Sequence, residues 1–109
     1  MNRETRIGMN EAVFRAVNER IQEVANAFQL TTEPLDLICE CGDAQCTERI
    51  TLTREDYENL RADPHRFAVA PGHDAPDVEQ VVERHSSYDI VRKYKGVPEE
   101  IAQETDPRR

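Results

Sequence analysis

The only three cysteines of this 109-residue chain fall within eight positions, inside the stretch "ICECGDAQCTERITLT". Cys39, Cys41 and Cys46 are spaced C-x-C-x4-C. In an extended segment Cys39 and Cys41 project from the same face, so both sulfurs can turn toward one point. The "GDAQ" that follows is turn chemistry, with Gly42 and Asp43 suited to unusual backbone angles, and it returns Cys46 on the opposite arm of a hairpin. Three converging thiolates are strong ligands for Zn2+, and a structural zinc takes a fourth ligand from the protein. The best candidate for the fourth is His73 in "APGHD", because a histidine just after a Pro-Gly turn is held in place by a stiff loop. Asp74, next in sequence, is placed to orient its ring. His65, after Pro64 at a helix end, and His85, beside a turn at Ser86, are the alternatives, and each also reads as a solvated side chain.

Other chemistries compete for the same thiols. The spacing departs from the paired C-x2-C of zinc ribbons, so three reduced thiols, with Cys39 as a small buried hydrophobe, are one alternative. A redox switch is another, but it needs a thiol of depressed pKa, and Glu40, Asp43 and Glu48 surround the cluster with charge that disfavours thiolate. A bound dication offsets that charge. If zinc held the three cysteines and a water, the site would be a Lewis acid with Glu40 or Glu48 as a proton carrier, which is the outline of a small hydrolase. The His-x-Glu and Pro-Cys-x-x-Cys segments of zinc deaminases do not occur here. Neither does a glycine-rich phosphate loop, a G-x-S-x-G elbow or an H-E-x-x-H helix. The pairs Glu55 with Asp56 and Glu99 with Glu100 suit helix N-termini better than acid/base catalysis. No catalytic residue is assigned on these grounds.

The elements that must position the cysteines are legible from periodicity. In "NEAVFRAVNERIQEVANAF" the residues Phe14, Val17, Ile21, Val24 and Phe28 recur at steps of three and four, which predicts an amphipathic helix over 10–28 with Asn10 as its N-cap. The stripe is expected to pack on its own domain, or to form a seam with a partner or a second copy. "QLTTEP" breaks the pattern at Pro34. "LDLICEC" and "CTERITLT" alternate as the two arms of the cysteine hairpin. Thr53 followed by Asp56 caps a short helix, "REDYENLRAD", that Pro64 ends. "RFAVAPGH" returns to extended structure, and "VEQVVERH" with "YDIVRKY" reads as a second hairpin, although Val78, Val81 and Val82 also fit helix. Pro98 opens a final helical turn, "PEEIAQE". The fold class expected is α+β: an N-terminal helix over 1–31, then a compact antiparallel unit of two hairpins over 32–109.

Charge narrows the partners. The formal net charge is −8; residues 1–31 carry four acids and four bases, whereas 32–106 carry eighteen acids and eight bases. An acidic surface repels phosphate backbones, which argues against nucleic acid and toward a basic protein surface, or a homodimer through the first helix. With aromatics at 6% the core is thin, so a metal staple has a physical use. No signal-peptide core and no membrane-spanning run is apparent, and clustered reduced thiols suit the cytosol.

"NEAVFRAVNERI", "CECGDAQCTERITLTREDYENLRADPHRFAVAPGH" and "VVERHSSYDIVRK" together resemble a group of short actinobacterial proteins. The likeness covers nearly the whole chain and is strongest in the C-x-C-G-x3-C knuckle, the "RADP" helix end and the "PGH" turn. It implies a bacterial cytosolic protein with a metal knuckle, and no particular mechanism. The reading that results is a small zinc-binding interaction or regulatory module.

Overall fold

The computed structural model describes residues 1–29 and 33–109. The elements are α1 (Arg3–Ala27), β1 (Leu35–Ile38), β2 (Arg49–Leu52), α2 (Arg54–Arg61), β3 (Arg66–Val69), β4 (Glu79–Arg84), β5 (Asp89–Lys93) and α3 (Val97–Glu104). This is the α+β class expected. The break after the first helix and the boundary at 31/32 lie partly outside the described residues.

β1 and β2 form an antiparallel hairpin in which Leu37 faces Ile50, and their alternation sends Leu35, Leu37, Ile50 and Leu52 inward. A second sheet has the order β3-β5-β4, all antiparallel. The ambiguous 78–85 segment is therefore strand; its pairing with β5 shifts register between Val81 and Glu83, leaving Val82 in a bulge. The two sheets meet where the Glu40 amide donates to the Ala68 carbonyl at 2.8 Å. Side chains from both, with Tyr57 and Leu60 of α2, close one apolar core around Leu37, Phe67, Val69 and Val91. Thr53 caps α2 as expected, its hydroxyl accepting from the Asp56 amide at 3.0 Å.

The first helix differs from expectation in two respects. It begins eight residues earlier: Asn2, not Asn10, is the N-cap, its side chain accepting from the Thr5 amide at 2.8 Å. It is also turned the other way. Ile7, Gly8, Glu11, Arg15, Asn18, Glu19 and Gln22 are the buried residues of α1, while Val17, Val24 and Phe28 of the apolar stripe are exposed and Phe14 and Ile21 half-buried. The reason is the backbone on which α1 lies. It crosses the edge of β1, the cysteine segment and the end of α3, which present unpaired carbonyls and amides, and only polar side chains can satisfy those. Asn18 donates to the Ile38 carbonyl and accepts from the Ile38 amide, both at 2.9 Å, as one further strand would. Arg15 donates to the carbonyls of Pro64 and Ala102, each at 2.8 Å, with its guanidinium over the Phe67 ring. Glu19 and Glu58 hold Arg108 near the C-terminus. Gly8 lies where α1 crosses α3: a Cβ there would come within 2.9 Å of Ile101.

One cluster in this interface is charged and closed to water. Lys93 of β5 donates to Glu11 at 2.6 Å and to Glu79 at 2.9 Å, and all three side chains are buried. One ammonium cannot balance two carboxylates, and Glu11 Oε2 has no hydrogen-bond partner. Burial first, and the neighbouring Glu79 second, hold Glu11 well above its ordinary carboxylate range. A carboxyl raised on folding binds more protons in the native than in the unfolded chain, so its contribution declines as pH rises above the ordinary glutamate value. Replacing Glu11 by Gln removes that penalty. The difference in melting temperature between Glu11→Gln and the parent is expected to shift in favour of the variant between about pH 5 and pH 8; a constant difference would show that Glu11 is ionised throughout.

Candidate metal centre

The cysteine segment sits at the mouth of the β1–β2 hairpin, between the two sheets and α1. The Cys39 amide donates to the Glu48 carbonyl at 3.0 Å, which carries the hairpin ladder one step past β1. Asp43 then makes the turn: its side chain accepts from the Gln45 amide at 2.9 Å and its carbonyl from the Cys46 amide at 3.0 Å. Gly42 is required for space rather than for backbone angle. It has no positive φ, but a Cβ would stand 2.5 Å from Ile7 Cγ2, so only glycine lets α1 approach this loop. Asn10 fastens the approach by donating to the Gly42 carbonyl at 2.8 Å.

His73 arrives from the β3–β4 connection. Gly72 takes φ +82°, a conformation that favours glycine, and the His73 amide closes the turn onto the Ala70 carbonyl at 3.0 Å. Among the described residues Asp74 makes no hydrogen bond to the ring. The acid that anchors the loop is Asp89 of β5, buried, which accepts from the Gly72 amide at 3.2 Å.

These loops bring Cys39, Cys41, Cys46 and His73 together. One donor atom from each lies within 4.8 Å of the others, and His73 Nδ1 is 3.7 Å from Cys39 Sγ and 3.6 Å from Cys46 Sγ. Such a group could hold a metal ion. Cys39 and Cys41 are buried and Cys46 is half-buried. The Ala70 amide donates to Cys39 Sγ at 3.1 Å, a bond that suits a sulfur carrying negative charge. Between the sulfurs themselves protons are held unequally: Cys39, donating to Cys41 and buried, is pushed far above the ordinary thiol range, while the accepting Cys41 is pulled down to about 5. The other two histidines are engaged elsewhere. His65 lies 3.0 Å from Gln103, and His85 stacks on Tyr88 at 4.4 Å and lies 2.9 Å from Glu83.

Glu40, between the two cysteines, is not a proton carrier for the site. Alternation sends it to the side opposite the sulfurs, where it is wholly buried. Its carboxylate accepts from Arg61 at 2.7 Å, Asn18 at 2.7 Å and the Ala68 amide at 3.0 Å. Arg61 in turn lies over the Tyr57 ring. Alternate residues of one short segment thus face the donor cluster and the ionic core. Periodicity alone could have placed Glu40 opposite the cysteines, but Arg61 and Asn18 as its partners required the fold.

No family model, curated protein or solved structure matches the chain. Among the described residues no helix is long and apolar enough to cross a membrane.

Removing Glu40 strands the buried Arg61. Glu40→Ala is expected to lower stability by about 3–5 kcal/mol, and the double variant Glu40→Ala/Arg61→Leu to recover part of that loss. Denaturant melts of the parent, Glu40→Ala, Arg61→Leu and the double variant check this; a double variant no better than Glu40→Ala would show that Arg61 finds another partner.

Proposed function

We propose that the protein is a small metal-binding interaction module, with one structural Zn2+ held by Cys39, Cys41, Cys46 and His73. The observation that carries this reading is the spacing between donors. A tetrahedral zinc with Zn–S near 2.3 Å and Zn–N near 2.05 Å sets sulfur and nitrogen about 3.6 Å apart. His73 Nδ1 stands 3.6 and 3.7 Å from two of the sulfurs. Thiolate with imidazole is also the donor set that selects zinc over the harder divalent ions.

Four protein donors fill a tetrahedral zinc, which leaves it a staple for the loops rather than a reaction centre. An open cleft of about 610 Å3 borders Cys41 and His73 and is flanked by Arg3 and Arg6. A small hydrolase or thiol redox protein would use that cleft, and would need an exchangeable ligand or a free thiolate. Four converging donors favour the staple. Reduced thiols of this kind suit the cytoplasm, and the acidic surface after α1 suits a basic protein partner better than nucleic acid.

Metal binding free energy becomes folding free energy when the site does not survive unfolding. Treatment with a strong chelator, and separately Cys41→Ser, are each expected to lower the melting temperature of the whole domain in one cooperative transition. A melting curve indifferent to both would overturn the structural-metal reading.

A further inference from the structure

Among the described residues nothing covers the outward face of α1. Met9, Val13, Val17, Val24 and Phe28 lie along it, with Val13 58% and Phe28 73% exposed. From Met9 to Phe28 the stripe runs about 28 Å. Beside its C-terminal end, Ile21, Val24 and Ala25 continue with Pro34 and Leu35 into an open, mainly apolar cleft of about 380 Å3. A continuous apolar surface of several hundred Å2 on a small acidic protein marks an interface.

We propose that a second copy of this chain covers the face, with the two α1 helices packed antiparallel about a two-fold axis. This names a partner for the interaction role proposed above, and it rests on different residues, so failure of the metal assignment would leave it standing. Three features argue for a second copy.

The first is charge. The exposed charges bordering the stripe and its cleft are Arg6, Arg20 and Glu23, with Glu33 and the ion pair of Asp36 with Arg49, a balanced set in a chain of formal net charge −8. Two copies can meet here without the repulsion that their acidic surface would bring, whereas a basic partner would be drawn to that acidic surface instead. The second is spacing. Val13, Val17 and Val24, separated by four and seven, sit at seam positions of a helix pair, with Arg20 at the seam position between them.

The third is self-complementarity. With the axis between Arg20 and Ile21, Val13 of each copy faces Phe28 of the other and Val17 faces Val24, so every contact occurs twice. Phe14, half-buried in its own domain, then lies beside Phe28 of the second copy. Arg20, which pairs with Glu23 on its own helix at 3.1 Å, comes within one turn of Glu23 of the second copy on the same flank. The two Arg20 side chains lie close to the axis in this register, where the Glu23 carboxylates of both copies offset them.

Sedimentation of the full chain over about two decades of concentration, with zinc content measured on the same samples, tests this. The parent is expected to approach the mass of two chains. Val13→Glu, at an exposed position, is expected to keep its metal content and melting temperature as a monomer and to stay one chain at every concentration. Arg20→Glu is expected to weaken the dimer roughly tenfold or more. Arg20→Glu/Glu23→Arg is expected to restore it. A parent that stays monomeric throughout would overturn the proposal and leave the face to a different protein. A dimer that survives Val13→Glu would place the contact elsewhere, and a charge swap that fails to restore association would overturn the antiparallel register.

Discussion

Backbone groups that leave a strand edge or a helix end inside a protein must find partners, and α1 supplies them at β1, the cysteine loop, the turn before β3 and the end of α3. Asn18 alone satisfies the amide and carbonyl of Ile38, and its amide also reaches Glu40. Arg15 collects carbonyls from the turn before β3 and from α3; Asn10 takes the carbonyl of Gly42. With that face of the helix committed to hydrogen bonds, its apolar residues have nowhere to go but outward. The inverted orientation of α1, the closed ionic clusters and the bare apolar stripe are three results of one constraint.

The cysteine segment is built into that interface rather than appended to it. Cys39-Glu40-Cys41 is one extended tripeptide whose two sides do unlike work: sulfurs toward His73, carboxylate toward Arg61, Asn18 and the Ala68 amide. An ion that orders the sulfurs therefore orders the strand that presents Glu40, and through Glu40 the docking of α1 and α2. A buried ion pair is weak evidence for net stability, but it fixes one arrangement of the helices against alternatives that would leave a charge alone. In a chain with so few aromatics, specificity of this kind complements a small core.

Local patterns were the legible part of the sequence. Alternation located both hairpins, the Thr53 cap located α2, and clustering of Cys39, Cys41 and Cys46 with a histidine after Pro71-Gly72 located the donor group that the fold brings together. The orientation of α1 was not legible, because both sides of that helix are periodic: Glu11, Arg15, Asn18 and Gln22 recur at four, three and four as regularly as the apolar stripe does. Hydrophobic periodicity tells where a stripe is, and the usual inference that it faces inward fails where the surface beneath is exposed backbone. Gly42 was read for its conformational freedom, whereas its role is steric and depends on Ile7, thirty-five residues away. Asp89 and Arg61 carry no local signal at all, since their partners are set by tertiary contacts.

The ligand set is the most direct point of attack on the zinc assignment. X-ray absorption at the zinc edge, on protein purified without added metal and without a histidine tag, reads the atoms bound to the ion in solution. Three sulfurs near 2.3 Å and one nitrogen near 2.05 Å are expected. A shell with two sulfurs or fewer, an oxygen in place of the imidazole, or protein that carries no zinc at all would contradict the assignment of Cys39, Cys41, Cys46 and His73.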